Sequence, residues 1–114
     1  MGTKETYLYF GDNKGGDAAG DCVTYAASTY LGLDPISATT SRISFKALAG
    51  TAADDDILVT HASGKYKELC QAMAILMNST SGELVVVYDE DNSIVHKVLS
   101  DFGVAPTEIE ITLA

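Results

Sequence analysis

Basic side chains are scarce in this sequence: Lys and Arg number 7 against 16 Asp and Glu, for a formal net charge of -9 and a pI near 4.3. That shortage argues against a nucleic-acid binder, because affinity for a polyanion comes chiefly from neutralising phosphates with Lys and Arg. Cysteine is sparse too. Cys22 and Cys70 lie far apart and belong to no C-x-x-C pair, so the expectation is two reduced, buried thiols in a reducing compartment. No apolar run approaches the roughly 18 residues a transmembrane helix requires. Met1 to Phe10 lacks the charged start and apolar stretch of a secretory signal. Met1-Gly2-Thr3-Lys4-Glu5-Thr6 fits the loose myristoylation pattern, but no polybasic segment follows to add a second anchor. A soluble protein without a membrane partner is expected.

Catalytic signatures are missing as well. Neither G-x-S-x-G nor H-E-x-x-H occurs. Gly11 to Gly16 copies the glycine spacing of a P-loop, yet Asp17 stands where the phosphate-binding lysine belongs and Ala18 where the Mg²⁺-binding hydroxyl belongs. An aspartate there repels phosphate.

What is present suffices for a core. The chain has 114 residues and 12.0 kDa, 46% of them hydrophobic, with mean hydropathy +0.12. These figures describe one folded domain over residues 1–114 rather than a disordered acidic tail. Thr6 to Phe10 is β-branched and aromatic, with Thr6, Leu8 and Phe10 on one face and Tyr7 and Tyr9 on the other. Gly11 to Asp21 reads as a loop. Cys22 to Ala26 is a second strand, continued past an irregularity by Thr29 to Leu33, with a turn at Asp34-Pro35.

Arg42 to Ala47 alternates strictly, Ile43, Phe45 and Ala47 inward against Arg42, Ser44 and Lys46 outward. With turn chemistry at Gly50 to Asp55 and a returning strand at Ile57 to His61, residues Arg42 to His61 make a β-hairpin. Tyr66, Leu69, Cys70, Met73, Leu76 and Met77 then form an apolar stripe at helical period. Ser63 is the expected N-cap, and Ser79 to Gly82 holds the stop. Leu84 to Tyr88 is apolar without alternation, so a central strand covered on both faces is expected. Ile94 to Val98 returns antiparallel, and Ile109 to Leu113 closes the order β-β-β-β-α-β-β-β.

This order defines an α+β fold: a mainly antiparallel β-sheet curled toward a small barrel, with one amphipathic helix over residues 63–78. One helix cannot cover both faces of such a sheet. The sheet must close, form a sandwich, or bury its bare face against another subunit.

The candidate functional residues are few. Asp89-Glu90-Asp91-Asn92-Ser93 starts like a calcium loop, but Ile94 replaces the glycine of the bend and Ser100 stands where the bidentate glutamate belongs. No EF-hand forms. Asp89 and Asp91, with Asp54 and Asp56, remain candidate ligands for a partly open divalent-cation site; the alternative is acidic turns whose side chains bond local backbone. His61 and His96 have no metal-ligand spacing and read as half-exposed strand residues. Cys70 with a histidine has the makings of a nucleophile and base. It falls on the buried stripe, however, whereas a catalytic thiolate wants an exposed, electropositive setting. No enzyme and no cofactor are expected. Tyrosine stands out: Tyr7, Tyr9, Tyr25 and Tyr30 are four of the six and fall in the first thirty residues. Tyrosine suits interfaces, being large, apolar and tolerant of partial wetting; the alternative is simple strand propensity.

The run from Arg42 to Asn78, with its Gly50-Thr51-Ala52-Ala53-Asp54-Asp55-Asp56 turn and a helix opening Gly64-Lys65-Tyr66-Lys67-Glu68, resembles small uncharacterised proteins of marine phages and marine metagenomes. Val85-Val86-Val87-Tyr88-Asp89 extends the likeness over the C-terminal two-thirds. The resemblance implies a structural or virion-associated role, in host cytoplasm or particle, and carries over no site residues. The expectation is a self-associating structural protein, with other virion proteins as further partners. The rival is a ligand-binding module taking a divalent cation at the acidic turns, or RNA on an Sm-like or OB-like small barrel.

Overall fold

The computed structural model describes residues 5–12, 22–78, 84–90 and 92–114. The alternating stretch around Ile43 and Phe45 forms β4 (Thr40–Lys46), which returns antiparallel as β5 (Asp54–Thr60). Ser41 pairs with Val59, Ile43 with Ile57 and Phe45 with Asp55, and all six side chains are buried. The expected hairpin is there, but its acidic run is not a turn. Asp54 to Asp56 already belong to β5, and the two-residue period of a strand carries Asp55 onto the core face.

β3 (Tyr30–Ser37) and β8 (Glu108–Thr112) flank this hairpin in an antiparallel sheet of order β3-β4-β5-β8. Asp34-Pro35 lies inside β3 instead of turning the chain, which reverses at Ala38 and Thr39. An edge strand tolerates a proline because it needs donors toward one neighbour only. Asp34 is held by Arg42 opposite, whose guanidinium donates to both carboxylate oxygens at 2.9 and 3.1 Å.

The second sheet is mixed. β1 (Tyr7–Gly11) lies between β2 (Cys22–Ala26), antiparallel to it, and β6 (Leu84–Asp89), parallel to it; β7 (Ile94–Val95) pairs with β6. Thr6, Leu8 and Phe10 are buried, as their shared face requires. Gly11 is needed where β1 meets β6, since a Cβ there would stand 2.8 Å from an Asp89 carboxylate oxygen.

The expected curl toward a barrel gives way to two four-stranded sheets, and among the described residues no ladder joins them. A 3-10 turn at Ala27–Thr29 carries the chain from β2 in one sheet to β3 in the other. The crossing is pinned by Ala27 N–H donating to Thr6 O at 2.8 Å and by the Ser28 hydroxyl donating to Glu5 at 2.7 Å. Between the sheets, Phe45 lies parallel to Tyr25 at 4.3 Å between centroids, with Phe10 at 5.8 Å and Tyr30 at 5.9 Å tilted against it. These rings join the aliphatic side chains of both sheets and the helices in one core.

Helix α1 (Tyr66–Met77) buries Leu69, Ala72, Met73 and Leu76. The buried stripe is rotated from the expected one: Ala72 turns inward, while Tyr66 and Cys70 are exposed. Ser63 does not cap the helix. Gly64, at φ 75°, makes a tight turn, and Lys65 occupies the cap position without a side-chain bond. The strand expected over Ile94 to Val98 ends at Val95, because His96 Nδ1 accepts the Val98 N–H and opens a short helix, α2 (Lys97–Asp101). Leu99 on that helix reaches the core. No helix among the described residues is long and apolar enough to cross a membrane. The expected helix stop at Ser79 to Gly82 lies outside the described residues, as do residues 13–21 of the loop expected from Gly11 to Asp21, while Gly11 itself ends β1.

Phe45 touches three aromatic rings from three other strands, so Phe45→Ala opens a cavity in the middle of the core. The expected loss is about 3–5 kcal/mol of unfolding free energy, measured by denaturant titration with the slope unchanged.

Candidate functional site: an uncovered sheet face

The mixed sheet has an inner face in the core and an outer face with no layer on it among the described residues. Alternation in β1 sends Leu8 and Phe10 inward and Tyr7 and Tyr9 outward. The register sets Tyr7 beside Leu84 and Tyr9 beside Val86 on parallel β6. Across β6, Ile94 pairs with Asp89 on the same side. Tyr7 is 47% exposed, Leu84 53% and Ile94 48%; Tyr9 and Val86 are half-buried. Cys22, Thr24 and Ala26 continue this face onto β2. Only the tyrosines of this face are legible in the sequence: Leu84 to Tyr88 reads as a strand covered on both sides, yet Leu84 is exposed and Val86 half-buried. Only the pairing of β6 with β1 brings Leu84 and Val86 to the tyrosines.

The four candidate interface tyrosines therefore separate. Tyr7 and Tyr9 are on the outer face together. Tyr25 is 1% exposed and belongs to the core, because its parity on β2 points it at Phe45. Tyr30 is half-buried against the same ring.

The acidic candidates do not converge. Asp54 and Asp56 share the outer side of β5, and the Asp56 carboxylate accepts the Ser44 hydroxyl at 2.8 Å. Asp89 is buried and accepts from the Asn92 side chain at 2.8 Å and its N–H at 3.3 Å, an acidic turn of the local kind. Asp91 lies outside the described residues. Glu90 accepts the Ile109 N–H at 3.0 Å and ties the β6–β7 turn to β8. Among the described residues no three His, Cys, Asp or Glu side chains group as metal ligands would.

The expected half-exposed His61 is instead buried at the end of β5. Its Nδ1 lies 2.8 Å from the Ala62 carbonyl, which only accepts, so Nδ1–H donates there, and in the neutral imidazole Nε2 accepts from Ser41 Oγ at 2.8 Å. A serine hydroxyl on an imidazole is the geometry of a nucleophile and base, and sequence inspection missed it because the two are twenty residues apart. Ser41 Oγ is, however, sealed in the core with no exposed surface. The pair joins β4 to the start of the α1 connection. His96 is occupied as the cap of α2. Cys22 and Cys70, expected to be buried, are free and exposed.

Asp55 accepts from the Tyr25 hydroxyl at 2.8 Å, the Ala114 N–H at 2.8 Å and the Leu48 N–H at 3.2 Å. Burial alone would raise its pKa, but the three donors outweigh it and hold the carboxyl below the ordinary 3.8. The Tyr25 phenol is pushed well above its ordinary value by burial first, then by its bond to Asp55. Burial also raises Tyr30 and Tyr88, the latter helped by Glu90 and Glu108.

The signs follow from linkage. A lowered carboxyl stabilises the fold above its unfolded pKa, and that contribution is lost as pH falls through the folded value below 3.8. A raised phenol stabilises the fold below 10.0, and its contribution is lost as pH rises from there toward the folded value. Tyr25→Phe is expected to cost about 1.5–3 kcal/mol at neutral pH, the range for a hydrogen bond to a charged group. It should also flatten the decline of melting temperature above pH 10.0, read by circular dichroism across a pH series.

No protein-family model, no curated protein and no solved structure matches this chain, so its functional reading rests on its own geometry.

Proposed function

We propose that this chain is a non-enzymatic structural or assembly protein that forms homo-oligomers, with a virion-associated setting as the one its sequence resemblance implies. The observation that carries the reading is the outer face of the mixed sheet, where large apolar side chains of three adjacent strands stand open to solvent. Contiguous exposed apolar surface of this sort marks association sites in folded proteins. Five polar groups support the non-enzymatic half, though exposed Cys70 does not: Ser41 and His61 are sealed in the core, and Asp55, Asp56 and Asp89 already accept from the chain's own donors. The rival of RNA on a small barrel finds no closed barrel among the described residues and few cations to neutralise phosphate.

Sedimentation velocity tests the assembly. For a weak complex, association is expected between about ten and several hundred micromolar. A strict monomer over that whole range overturns the reading. A fluorophosphonate probe should leave Ser41 unlabelled in the folded protein; stoichiometric labelling would overturn the non-enzymatic part.

A further inference from the structure

We propose that His96 is an acid-operated catch on α2: a proton taken up at Nδ1 removes the cap of this helix and lets residues 97–101 open away from the core. The catch is independent of the self-association proposed above.

The backbone and ring of His96 both hold the start of the helix. Its N–H donates to Val87 O at 3.1 Å, its carbonyl accepts from Leu99 N–H at 3.0 Å and Ser100 N–H at 3.3 Å, and Nδ1 accepts from Val98 N–H at 3.1 Å. Helix caps are usually Ser, Thr, Asp or Asn, whose oxygens still accept in mild acid. An imidazole nitrogen accepts only while it is unprotonated. The ring is half-buried, so solvent protons reach it. A second proton turns Nδ1 from acceptor to donor, aimed at the Val98 N–H, and places a positive charge at the helix N-terminus beside Lys97. The capped state therefore binds fewer protons than the open one and gives way as pH falls.

Little else holds α2. It has five residues, no acidic residue in its first turn, and an exposed Lys97–Asp101 pair of the kind that contributes little. Its anchor in the core is Leu99, whose carbonyl accepts the Val104 N–H at 3.0 Å. Val104 O in turn accepts the Ala62 N–H at 2.9 Å, so opening of α2 is passed to the entry of α1. The titratable groups on the elements around the ring are Tyr88, Asp89 and Glu90 on β6 and its turn, and Lys97 and Asp101 on α2. On α1 they are Tyr66, Lys67, Glu68 and Cys70. Asp89 and Glu90 are bonded to Asn92 and Ile109, and Asp101 to Lys97. Among the described residues no carboxylate is bonded to the imidazole, so none anchors its charged form in the capped geometry.

The test is amide hydrogen exchange by NMR on the full chain, for wild type, His96→Asn and His96→Ala. The pH runs from about 7.5 to about 5, the range over which histidine ordinarily gains its proton. Asparagine caps a helix without titrating. The amides of Val98, Leu99 and Ser100 report on α2, and those of Ile57 and Leu58 in β5 on the global fold. Protection factors at α2, corrected for intrinsic exchange, are expected to fall about tenfold with acid in wild type, the scale of losing a cap. They should stay level in His96→Asn and be low throughout in His96→Ala, with β5 unchanged in all three. Wild-type protection that does not change with pH overturns the catch. An equal fall in His96→Asn also overturns it, since the proton then acts at another group such as His61. A His96→Ala variant as well protected as wild type at the neutral end shows that the cap does not hold α2. Simultaneous loss of protection in β5 is general acid unfolding and likewise overturns a local catch.

Discussion

Tyr25 spans the gap between the two sheets, its ring parallel to Phe45 and its hydroxyl bonded to Asp55. Most of the architecture depends on that crossing. Burying a carboxylate costs several kcal/mol unless donors replace its water, and here three do, from β2, from the segment after β4 and from the residues beyond β8. A register slip of one residue in β5 would turn Ile57 and Val59 out of the core, although Asp54 or Asp56 would then stand in the place of Asp55. The apolar alternation of β5 thus sets its register, while the Tyr25–Asp55 bond and the rings around Phe45 tie the two sheets together.

Once the inner faces are committed to each other, the two outer faces differ in kind. β4, β5 and β8 alternate cleanly, so the outer side of the antiparallel sheet is charged and wet. The outward positions of β1 and β6 are largely aromatic or apolar, so the outer side of the mixed sheet leaves Tyr7 and Leu84, with Ile94 of β7, exposed and Tyr9 and Val86 half-buried. The net charge of -9 is distributed accordingly. It is carried on strands as well as loops, for Asp34, Asp54, Asp56 and Asp89 all lie within ladders.

The elements easiest to read were those whose pattern is local. The Arg42 to His61 hairpin announced itself by alternation, and α1 by its apolar period. Ile94 to Val98 reads as a strand returning after an acidic turn; the imidazole capping Val98 decides otherwise, and that bond is invisible to residue type and spacing. Asp34-Pro35 carries turn chemistry, yet an edge position and the Arg42 guanidinium keep it extended. The same limit governs the candidate site. Tyr7 and Tyr9 were singled out from composition and share the open face, whereas Tyr25, with the same residue type and neighbourhood, went to the core. Leu84, Val86 and Ile94 carried no signal, because their exposure is set by partners far along the chain.

By itself the sequence determined the class of the protein: α+β, acidic, with a wet-faced hairpin, an amphipathic helix and no local catalytic or phosphate-binding motif. These follow from residue type and spacing within a few turns or strand repeats. The tertiary structure decided that the sheet splits in two, that Ser41 meets His61 in the core, and that the tyrosines divide between core and surface. Those outcomes turn on which strands pair and which face each pairing covers, contacts between residues distant in the chain whose energies no local pattern records.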